Sequence, residues 1–445
     1  MLVFSPSFRV SSRPNGQGPN DVFDPSASIC LDTWFFADVQ CTMRWSLASS
    51  LILISLLKFT STIEAQSPIR VGEINSYTGI AAGFTLPYRQ AVEMAVEAVN
   101  TSGGLLGRPV EVLFRDDKGD PAEAIKHAQE LVFGQHVEML AGTFLSNVGL
   151  AVSDFAKQNK VVFVAAEPLT EALTWSQGHR YVFRVRPNTY EQGRMLAEQA
   201  ARLPYKKWAV IGPNYEYGRR AWETFWQRFK ELKPDAQLIG EHWPTLGKIE
   251  PGGYVTALLS QHPEAVYVSL FGSDWIAFAR EGAKRGLFQS AFFVGILLGE
   301  PEYIDPLKLE APEGMLVTGY PWYDIQNPAH KDFVARFQRR TGKPPVAGSL
   351  VGDITFLSIF QAIRKAGGTE TEKLVSALEG LNVETPIGPI SYRSFDHQST
   401  MGAWVGTTKL DKTRGTGIMV NWQYVPGERV LPSEAEVQKM RGAPR

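Results

Sequence analysis

The sequence predicts an α/β protein with two lobes, each a doubly wound parallel β-sheet covered by helices. Three observations support this fold class. Short apolar runs alternate with longer segments of helical periodicity, as is typical of parallel sheets. About 380 of the 445 residues follow position 65, which is more than one ordinary core holds. The alternation also runs as two successive series, with a break at Arg186-Pro187.

The first series begins with a predicted strand at residues 69–74 and a helix that ends at Asn100. The glycine-rich segment 103–107 follows a helix and precedes a strand, the opposite order to a dinucleotide-binding loop, and so predicts a turn. At Asp120-Pro121 an aspartate is expected to cap a helix whose first residue is proline. The other predicted elements are strands at 110–114, 137–141, 161–165 and 181–185, and a helix at 147–158.

The second series has the same alternation, which again predicts parallel strands between helices. Its predicted strands are residues 208–211, 237–241, 265–269, 292–295 and 315–319. Its predicted helices are residues 190–202, 219–232, 254–260 and 275–286.

Beyond residue 319 the pattern becomes helical and then returns to strands. Helices are predicted at 331–342, 349–367 and 372–379, and strands near 391–392, 402–407 and 418–424. We expect one lobe to comprise residues 68–186 with 318–396, and the other 187–317 with 397–431, followed by a polar tail at 432–445. Three crossovers near Arg186, Thr318 and Asp396 would then form the hinge.

The N-terminal region contains an export signal that starts at Met43. A basic residue is followed by an apolar run of roughly ten residues and a cleavage site after Ala65, the three parts of a secretory signal peptide. A membrane-spanning helix needs about 20 apolar residues, and Lys58 ends this run early. We therefore predict that 43–65 is a signal peptide and that 1–42 is a non-native extension from an upstream start codon.

The exported part is expected to be a soluble periplasmic protein without disulfides or a lipid anchor. Both cysteines, Cys30 and Cys41, precede Met43, so no thiol follows the signal. The formal net charge of −1, without a basic stripe, makes nucleic acid an unsuitable partner.

Catalytic and metal-binding signatures are missing. The sequence has no Gly-x-Ser-x-Gly elbow, no zinc helix and no phosphate loop. The seven histidines are not spaced as metal ligands. Asp116-Asp117 are neighbours on an extended chain and point to opposite faces, so a structural role is favoured. We expect no enzyme activity, metal or cofactor.

Binding of a small molecule is the function that remains. In open α/β sheets, ligands lie beyond the carboxyl ends of the strands. The loops expected there are rich in hydroxyl, small and aromatic residues and comprise 76–84, 143–147, 166–170, 213–217, 270–275 and 296–299.

The chain resembles the Leu/Ile/Val-binding type of periplasmic solute-binding proteins that feed ABC importers. The order and spacing of several short motifs carry the resemblance: Tyr77-Thr78-Gly79, residues 100–109, Asp116-Asp117, Asp120-Pro121, Leu173-Thr174, Tyr217-Gly218 and Val317-Thr318. It covers nearly all of the exported part. The resemblance implies a type I periplasmic binding protein, joined by a three-strand hinge, that delivers its ligand to permease and ATPase subunits and acts as a monomer.

The resemblance also implies a ligand site. Ser146, where a helix should begin, matches the serine that holds the ligand carboxylate, although it could instead only cap the helix. Phe84, Tyr217 and Phe271 match the aromatic contacts, with ordinary core positions as the alternative. Asn147 and Leu169 lie in the same loops as the other candidates and are also predicted to contact the ligand.

One position departs from the family pattern. The acidic residue that pairs the ligand ammonium aligns with Leu297, and a buried ammonium without a counter-charge costs several kcal/mol. Glu167 either supplies the missing charge or is solvated. The ligand is therefore either a branched-chain amino acid, or an aromatic or short carboxylic acid or an amide. We favour a ligand that lacks an ammonium group. A sensor for a membrane signalling protein would have the same fold.

Overall fold

A computed structural model describes residues 67–442. These residues form one compact unit. The predicted extension 1–42 and signal peptide 43–65 lie outside the described residues and stay predictions.

The first sheet is entirely parallel and has five strands in the order β2-β1-β3-β4-β5. Strand β1 pairs with the edge strand β2 on one side and with the central strand β3 on the other, so chain order and spatial order differ at this point. The strands are β1 Ile69–Asn75, β2 Val110–Asp116, β3 Met139–Gly142, β4 Phe163–Ala165 and β5 Val182–Arg184.

The second sheet has seven strands in the order β14-β13-β10-β9-β8-β6-β7. Five are parallel, as the fold class predicts, and at one edge β13 runs antiparallel to both β10 and β14. The strands are β6 Lys207–Ile211, β7 Gln237–His242, β8 Ala265–Val268, β9 Phe292–Gly299, β10 Leu316–Gly319, β13 Ala403–Asp411 and β14 Thr416–Val425. A separate pair comprises β11 Asn382–Val383 and β12 Ile390–Ser391.

Helices cover both sheets, and their positions follow the predicted series closely. The helices of the first series are α1 Ala82–Thr101, α2 Pro121–Gln129 and α3 Ser146–Asn159. The helices of the second series are α4 Thr189–Ala200, α5 Glu216–Leu232, α6 Pro251–Gln261, α7 Gly272–Lys284, α8 Leu287–Ser290 and α9 Pro301–Ile304. The later helices are α10 Pro328–Thr341, α11 Ala347–Ala366, α12 Thr371–Leu378 and α13 Glu434–Gly442. The last lies within the tail that the sequence suggested only to be polar.

Local chemistry explains several of these boundaries. The Asp120 side chain accepts from the Ala122 amide at 2.8 Å, and Pro121 opens the helix, as the sequence predicts. Asp117 accepts from the Ser76 hydroxyl at 2.5 Å and from the Gly119 amide at 2.7 Å, which ties two strand ends together. These bonds agree with the structural role that the sequence favours for Asp117.

The chain passes between the two sheets three times, and the passages are tied to one another. The guanidinium of Arg184, at the end of β5, is fully buried and donates to the Gln398 side chain at 2.5 Å. The amide of Ser399 donates to the Arg184 carbonyl at 2.9 Å. In the remaining passage, the Thr318 hydroxyl donates to Gln192 at 2.9 Å. These bonds fix the floor of the cleft between the sheets.

One predicted loop is part of a strand. Residues 296–299 were expected to form a loop at the binding edge, but β9 continues to Gly299. A register irregularity between β9 and β10 accompanies the extension. As a result, the chain leaves the sheet at Glu300, four residues later than the sequence indicated.

Candidate functional site

A cavity of about 220 Å³ lies between the carboxyl ends of the two sets of strands. Six of the eight candidate residues line it together, so the sequence correctly groups them in space. The lining residues are Phe144, Ser146, Glu167, Leu169, Tyr215, Tyr217, Phe271 and Leu297. This volume counts all the space between the lining atoms, open solvent included, so little room is left between the two halves in this structure.

Ser146 is the first residue of α3, and its side chain does not cap that helix. Leu145 is the N-cap residue, and no side chain caps the helix end. The Ser146 hydroxyl is 1% exposed and accepts from the Thr170 amide at 3.2 Å, which leaves its proton free to donate. The first amides of a helix lack partners within it and favour an anion. Ser146 and the N-terminus of α3 therefore form an anion-accepting end of the cavity.

Aromatic rings form the walls. The Phe271 ring lies 5.7 Å from Phe144 across the cleft and 5.6 Å from Tyr217, measured between ring centroids. The Tyr217 hydroxyl is buried without a hydrogen-bond partner. At these separations the rings contact one another and close this side of the pocket.

Two candidates lie just outside the lining. Phe84 packs behind Phe144, with ring centroids 5.2 Å apart, and the Arg186 guanidinium lies 5.4 Å from the centre of its ring. Asn147 is half-buried beside Ser146, and the oxygen of its side-chain amide has no hydrogen-bond partner. Both residues support the walls of the cavity in this closed arrangement.

Leu297 reaches the cavity through an unusual backbone conformation. Its φ is +70°, in the left-handed region that non-glycine residues rarely adopt. Its amide donates to the Thr318 hydroxyl at 2.8 Å, which holds the bulge in place. Such conformations cost on the order of 1–3 kcal/mol and cluster at functional sites. In this conformation the apolar Leu297 side chain points into the cavity, at the position where the family pattern has an acidic residue.

Glu167 is neither solvated nor free to act as a simple counter-charge. It is 2% exposed, and one of its carboxylate oxygens accepts from the Arg186 guanidinium. The other oxygen is buried without a partner. Burial raises the pKa of Glu167 to about 7, although the guanidinium opposes this shift.

Arg186 also binds Glu300, the residue that follows β9. The side chains of Arg186 and Glu300 are almost fully buried, and the carboxyl groups of Glu167 and Glu300 face the same guanidinium. Burial raises the pKa of Glu300 well above its ordinary range. Arg186 therefore joins a loop of the first sheet to a loop of the second at the back of the cavity.

Glu302 makes a further link between the two halves. Its carboxylate accepts from the backbone amides of Ala347 at 3.1 Å and Gly348 at 3.0 Å, the first two residues of α11. Helix α11 packs against α1. Glu302 therefore binds the N-terminus of a helix that belongs to the opposite half.

Near the mouth of the cleft, two more polar contacts connect the halves. The Thr170 hydroxyl donates to the Glu216 carboxylate at 2.8 Å. The partly exposed Arg220 guanidinium pairs with the buried Glu171. These contacts hold the cleft closed around the cavity.

Sequence reasoning missed the carboxyl groups of Glu300 and Glu302, and it treated Glu167 as the sole acid near the cleft. The signal was present: Glu300-Pro301-Glu302 directly follows an apolar parallel strand, where site residues are expected. Ending that strand at residue 295 placed the expected loop too early. Arg186 was recognised only as a crossover residue.

Within residues 67–442, no group of three or more His, Cys, Asp or Glu side chains could hold a metal ion. Over the same residues, no helix has the length and apolar character needed to cross a bilayer.

The sequence matches a known family over most of its length. A profile described as periplasmic binding protein matches residues 68–414. "Leu/Ile/Val-binding protein homolog 3" of Brucella melitensis is 26% identical over 356 residues, which are 79% of this chain and 93% of that protein. The "leucine-, isoleucine-, valine-, threonine-, and alanine-binding protein" of Pseudomonas aeruginosa is 25% identical over 343 residues, 76% of this chain and 89% of the relative.

Solved structures share the fold. A solute-binding protein of an ABC transporter from Rhodopseudomonas palustris BisB5, in complex with 3,4-dihydroxybenzoic acid, matches with a TM-score of 0.72 at 22% identity and covers 81% of this chain and 98% of its own. A leucine-, isoleucine-, valine-, threonine- and alanine-binding protein from Brucella ovis, in a closed conformation, matches with a TM-score of 0.71 at 21% identity, covering 82% and 97%.

Proposed function

The chain belongs to the periplasmic binding protein family, and from this premise we propose that it is the substrate-binding protein of an ABC importer of the branched-chain amino acid type. The carrying observation is the small cavity between two sheets, with an anion-accepting helix end on one side and aromatic walls on the other. Membership of this family confirms the expectation of a binding protein rather than an enzyme.

The ligand that the cavity suits best is a small aromatic carboxylate. Its carboxylate would accept from Ser146 and the first amides of α3, and its ring would lie between Phe271 and Leu297. Arg186 already neutralises Glu167, so that carboxyl group is a weaker partner for an ammonium than an unpaired one would be. Several R. palustris relatives of the same fold were solved with benzoate or hydroxybenzoates.

A branched-chain amino acid is the second candidate, supported by the names of the relatives in Brucella and Pseudomonas. The buried Glu300 places a further acid near the cavity, which the sequence did not indicate. In this case Glu300 would have to exchange part of its pairing with Arg186 for the ligand ammonium.

The lobes, hinge and partners form part of the same proposal. Residues 68–186 with 318–396 and residues 187–317 with 397–431 would close as two lobes about the three crossovers. The closed monomer would dock from the periplasm on the permease subunits of an importer that ATPase subunits drive from the other side of the membrane. We expect the signal peptide to be cleaved after Ala65, so the mature periplasmic protein should begin at or near Gln66, which N-terminal sequencing checks.

A thermal-shift screen tests the proposal. A ligand that binds only the folded state adds about 2.7 kcal/mol of stability at 100 times its Kd. We expect benzoate or 4-hydroxybenzoate to raise Tm more than leucine, and neither to be consumed. A larger shift with leucine would favour the amino acid, and turnover of any compound would contradict the binding role.

A further inference from the structure

The back of the cleft contains more buried acid than buried base. The carboxyl groups of Glu167, Glu300 and Glu302 are 2%, 2% and 8% exposed, and the guanidinium that faces them, Arg186, is 5% exposed. Fully ionised, these four groups would carry a net charge of −2. Burying uncompensated charge is strongly unfavourable, so the closed cleft should hold at least one proton among the three carboxyl groups.

Hydrogen bonding supports the same conclusion. One oxygen of Glu167 and one of Glu300 are buried without a partner. An ionised oxygen in that position would have neither water nor a hydrogen-bond donor to stabilise its charge. A protonated carboxyl group is neutral, so burying it costs much less free energy. Glu302 differs, because backbone amides bind both of its oxygens.

Among residues 67–442, Arg186 is the only cation that acts on these three acids. The remaining titratable groups that face this cluster are tyrosines, which are neutral near pH 7, namely Tyr88, Tyr215, Tyr217, Tyr303 and Tyr320. Asp353 on α11 faces Tyr320 and is itself a buried acid. Burial raises the pKa of Asp353 to about 7 and lowers to about 4 that of His330, which hydrogen-bonds to the Tyr320 hydroxyl at 2.6 Å, so both groups favour their neutral forms.

The cluster is assembled only when the halves meet. Glu167 follows β4 of the first sheet, whereas Glu300 and Glu302 follow β9 of the second, and Glu302 binds the N-terminus of α11 across the cleft. When the halves separate, water reaches these carboxyl groups and each can ionise near neutral pH.

We propose that closure of this protein on its ligand is coupled to proton uptake by the Glu167, Glu300 and Glu302 cluster, so that the ligand binds more tightly in mildly acidic than in alkaline solution. This inference rests on the proposed binding function and adds a regulation to it. The proton comes from solvent and returns to solvent when the cleft opens.

The pKa values set the pH window. Burial raises the pKa of Glu167 and of Glu302 to about 7 from an ordinary 4.5, and raises that of Glu300 well beyond. A raised pKa means that the closed form keeps protons which the open form releases, so closure is favoured at low pH. This advantage is lost as pH rises through about 7 for the first two groups and at higher pH for Glu300.

Calorimetric titration tests the coupling with 4-hydroxybenzoate and with leucine as probes. At pH 7, binding enthalpies in phosphate and in Tris should differ in proportion to the protons taken up, and we expect about one proton or more. The affinity should fall about tenfold per pH unit for each proton, between pH 6 and pH 8. Measurable binding of 4-hydroxybenzoate without proton uptake would overturn the inference while leaving the binding function intact. The leucine ammonium would itself compensate part of the buried negative charge, so leucine should take up fewer protons.

Glu300→Gln is the diagnostic variant, since glutamine is neutral at every pH and leaves Arg186 paired with Glu167. It should reduce the proton uptake and bind more tightly than the unmodified protein at pH 8, an effect that simple damage to the site would not produce. Glu310→Gln is the matched control, because Glu310 is exposed and pairs with Arg280 outside the cleft. Equal pH profiles for Glu300→Gln and the unmodified protein would contradict the proposal.

Small-angle scattering without ligand provides a test that needs no probe to bind. The radius of gyration should be smaller at pH 5.5 than at pH 8.5, and Glu300→Gln should reduce this difference. If neither probe binds, the proposed ligand classes fail, and an unchanged radius would then also overturn the proton coupling.

Discussion

At the scale of single residues, Ser146 decides whether the cavity receives an anion. Its hydroxyl is buried at the start of α3 and keeps a free proton, because it accepts rather than donates in its bond with Thr170. Ser146→Ala should weaken binding of a carboxylate ligand by about 1.5–3 kcal/mol, the range for hydrogen bonds to charged groups. Calorimetric titration measures the change.

Ser153→Ala is the control for this prediction. Ser153 lies on the same helix, but its hydroxyl faces His179 at 2.9 Å rather than the cavity. Its replacement should leave affinity unchanged. Equal affinities for all three proteins would show that Ser146 does not contact the ligand.

Leu297 decides the polarity of the opposite wall. It is 2% exposed and lines the cavity in a strained backbone conformation. Leu297→Glu would place another acid near the ligand carboxylate, so the affinity for aromatic carboxylates should fall at least tenfold. Leu297→Met conserves volume and should change it little. Leucine binding more tightly than any aromatic acid to the unmodified protein would contradict our preference for a ligand without an ammonium.

At the scale of elements, the close approach of α11 to α1 depends on glycine. A methyl group on Gly352 would lie 2.5 Å from the Tyr88 carbonyl oxygen, in the interior of the helix pair. Gly352→Ala should therefore destabilise the fold by about 1–3 kcal/mol despite the better helix propensity of alanine. Gly83→Ala on α1 meets no atom within 4 Å and should stabilise by up to about 1 kcal/mol. Denaturant unfolding compares the two, and a stability gain from Gly352→Ala would disprove the packing argument.

Most elements could be predicted from the sequence because their signals are local. Asp120-Pro121 caps α2 as expected, and the helix predicted at 349–367 is present as α11. The end of β9 could not be predicted, because Leu297 adopts a left-handed conformation that only tertiary contacts stabilise. The antiparallel placement of β13 also depends on a partner, β10, that lies about 90 residues earlier in the chain.

The candidate site shows the same limit. The resemblance and the loop positions identified eight candidate residues, and six of them line one cavity. They lie together because the carboxyl ends of parallel strands meet at one edge of a sheet. The pairing of Arg186 with Glu167 and Glu300 depends on where a crossover meets loops from two sheets. Nothing in the local sequence encodes that meeting point.

At the scale of the whole molecule, closure requires the two halves to touch at the start of α7. Gly272, which follows β8 of the second sheet, has a φ of +55° and lies against Ile80, which follows β1 of the first. A methyl group on Gly272 would lie 2.5 Å from the Ile80 carbonyl oxygen. Neither half contains this conflict by itself.

Gly272→Ala should therefore impair closure more than folding. The left-handed conformation costs alanine about 1–2 kcal/mol of stability, whereas the clash arises only when the halves meet. We expect ligand affinity to fall and the radius of gyration with ligand to stay near its unliganded value. Gly253→Ala, also in the first turn of a helix that covers the second sheet but with open space around it, should close normally. Ligand-induced compaction of Gly272→Ala equal to that of the control would show that closure does not need this contact.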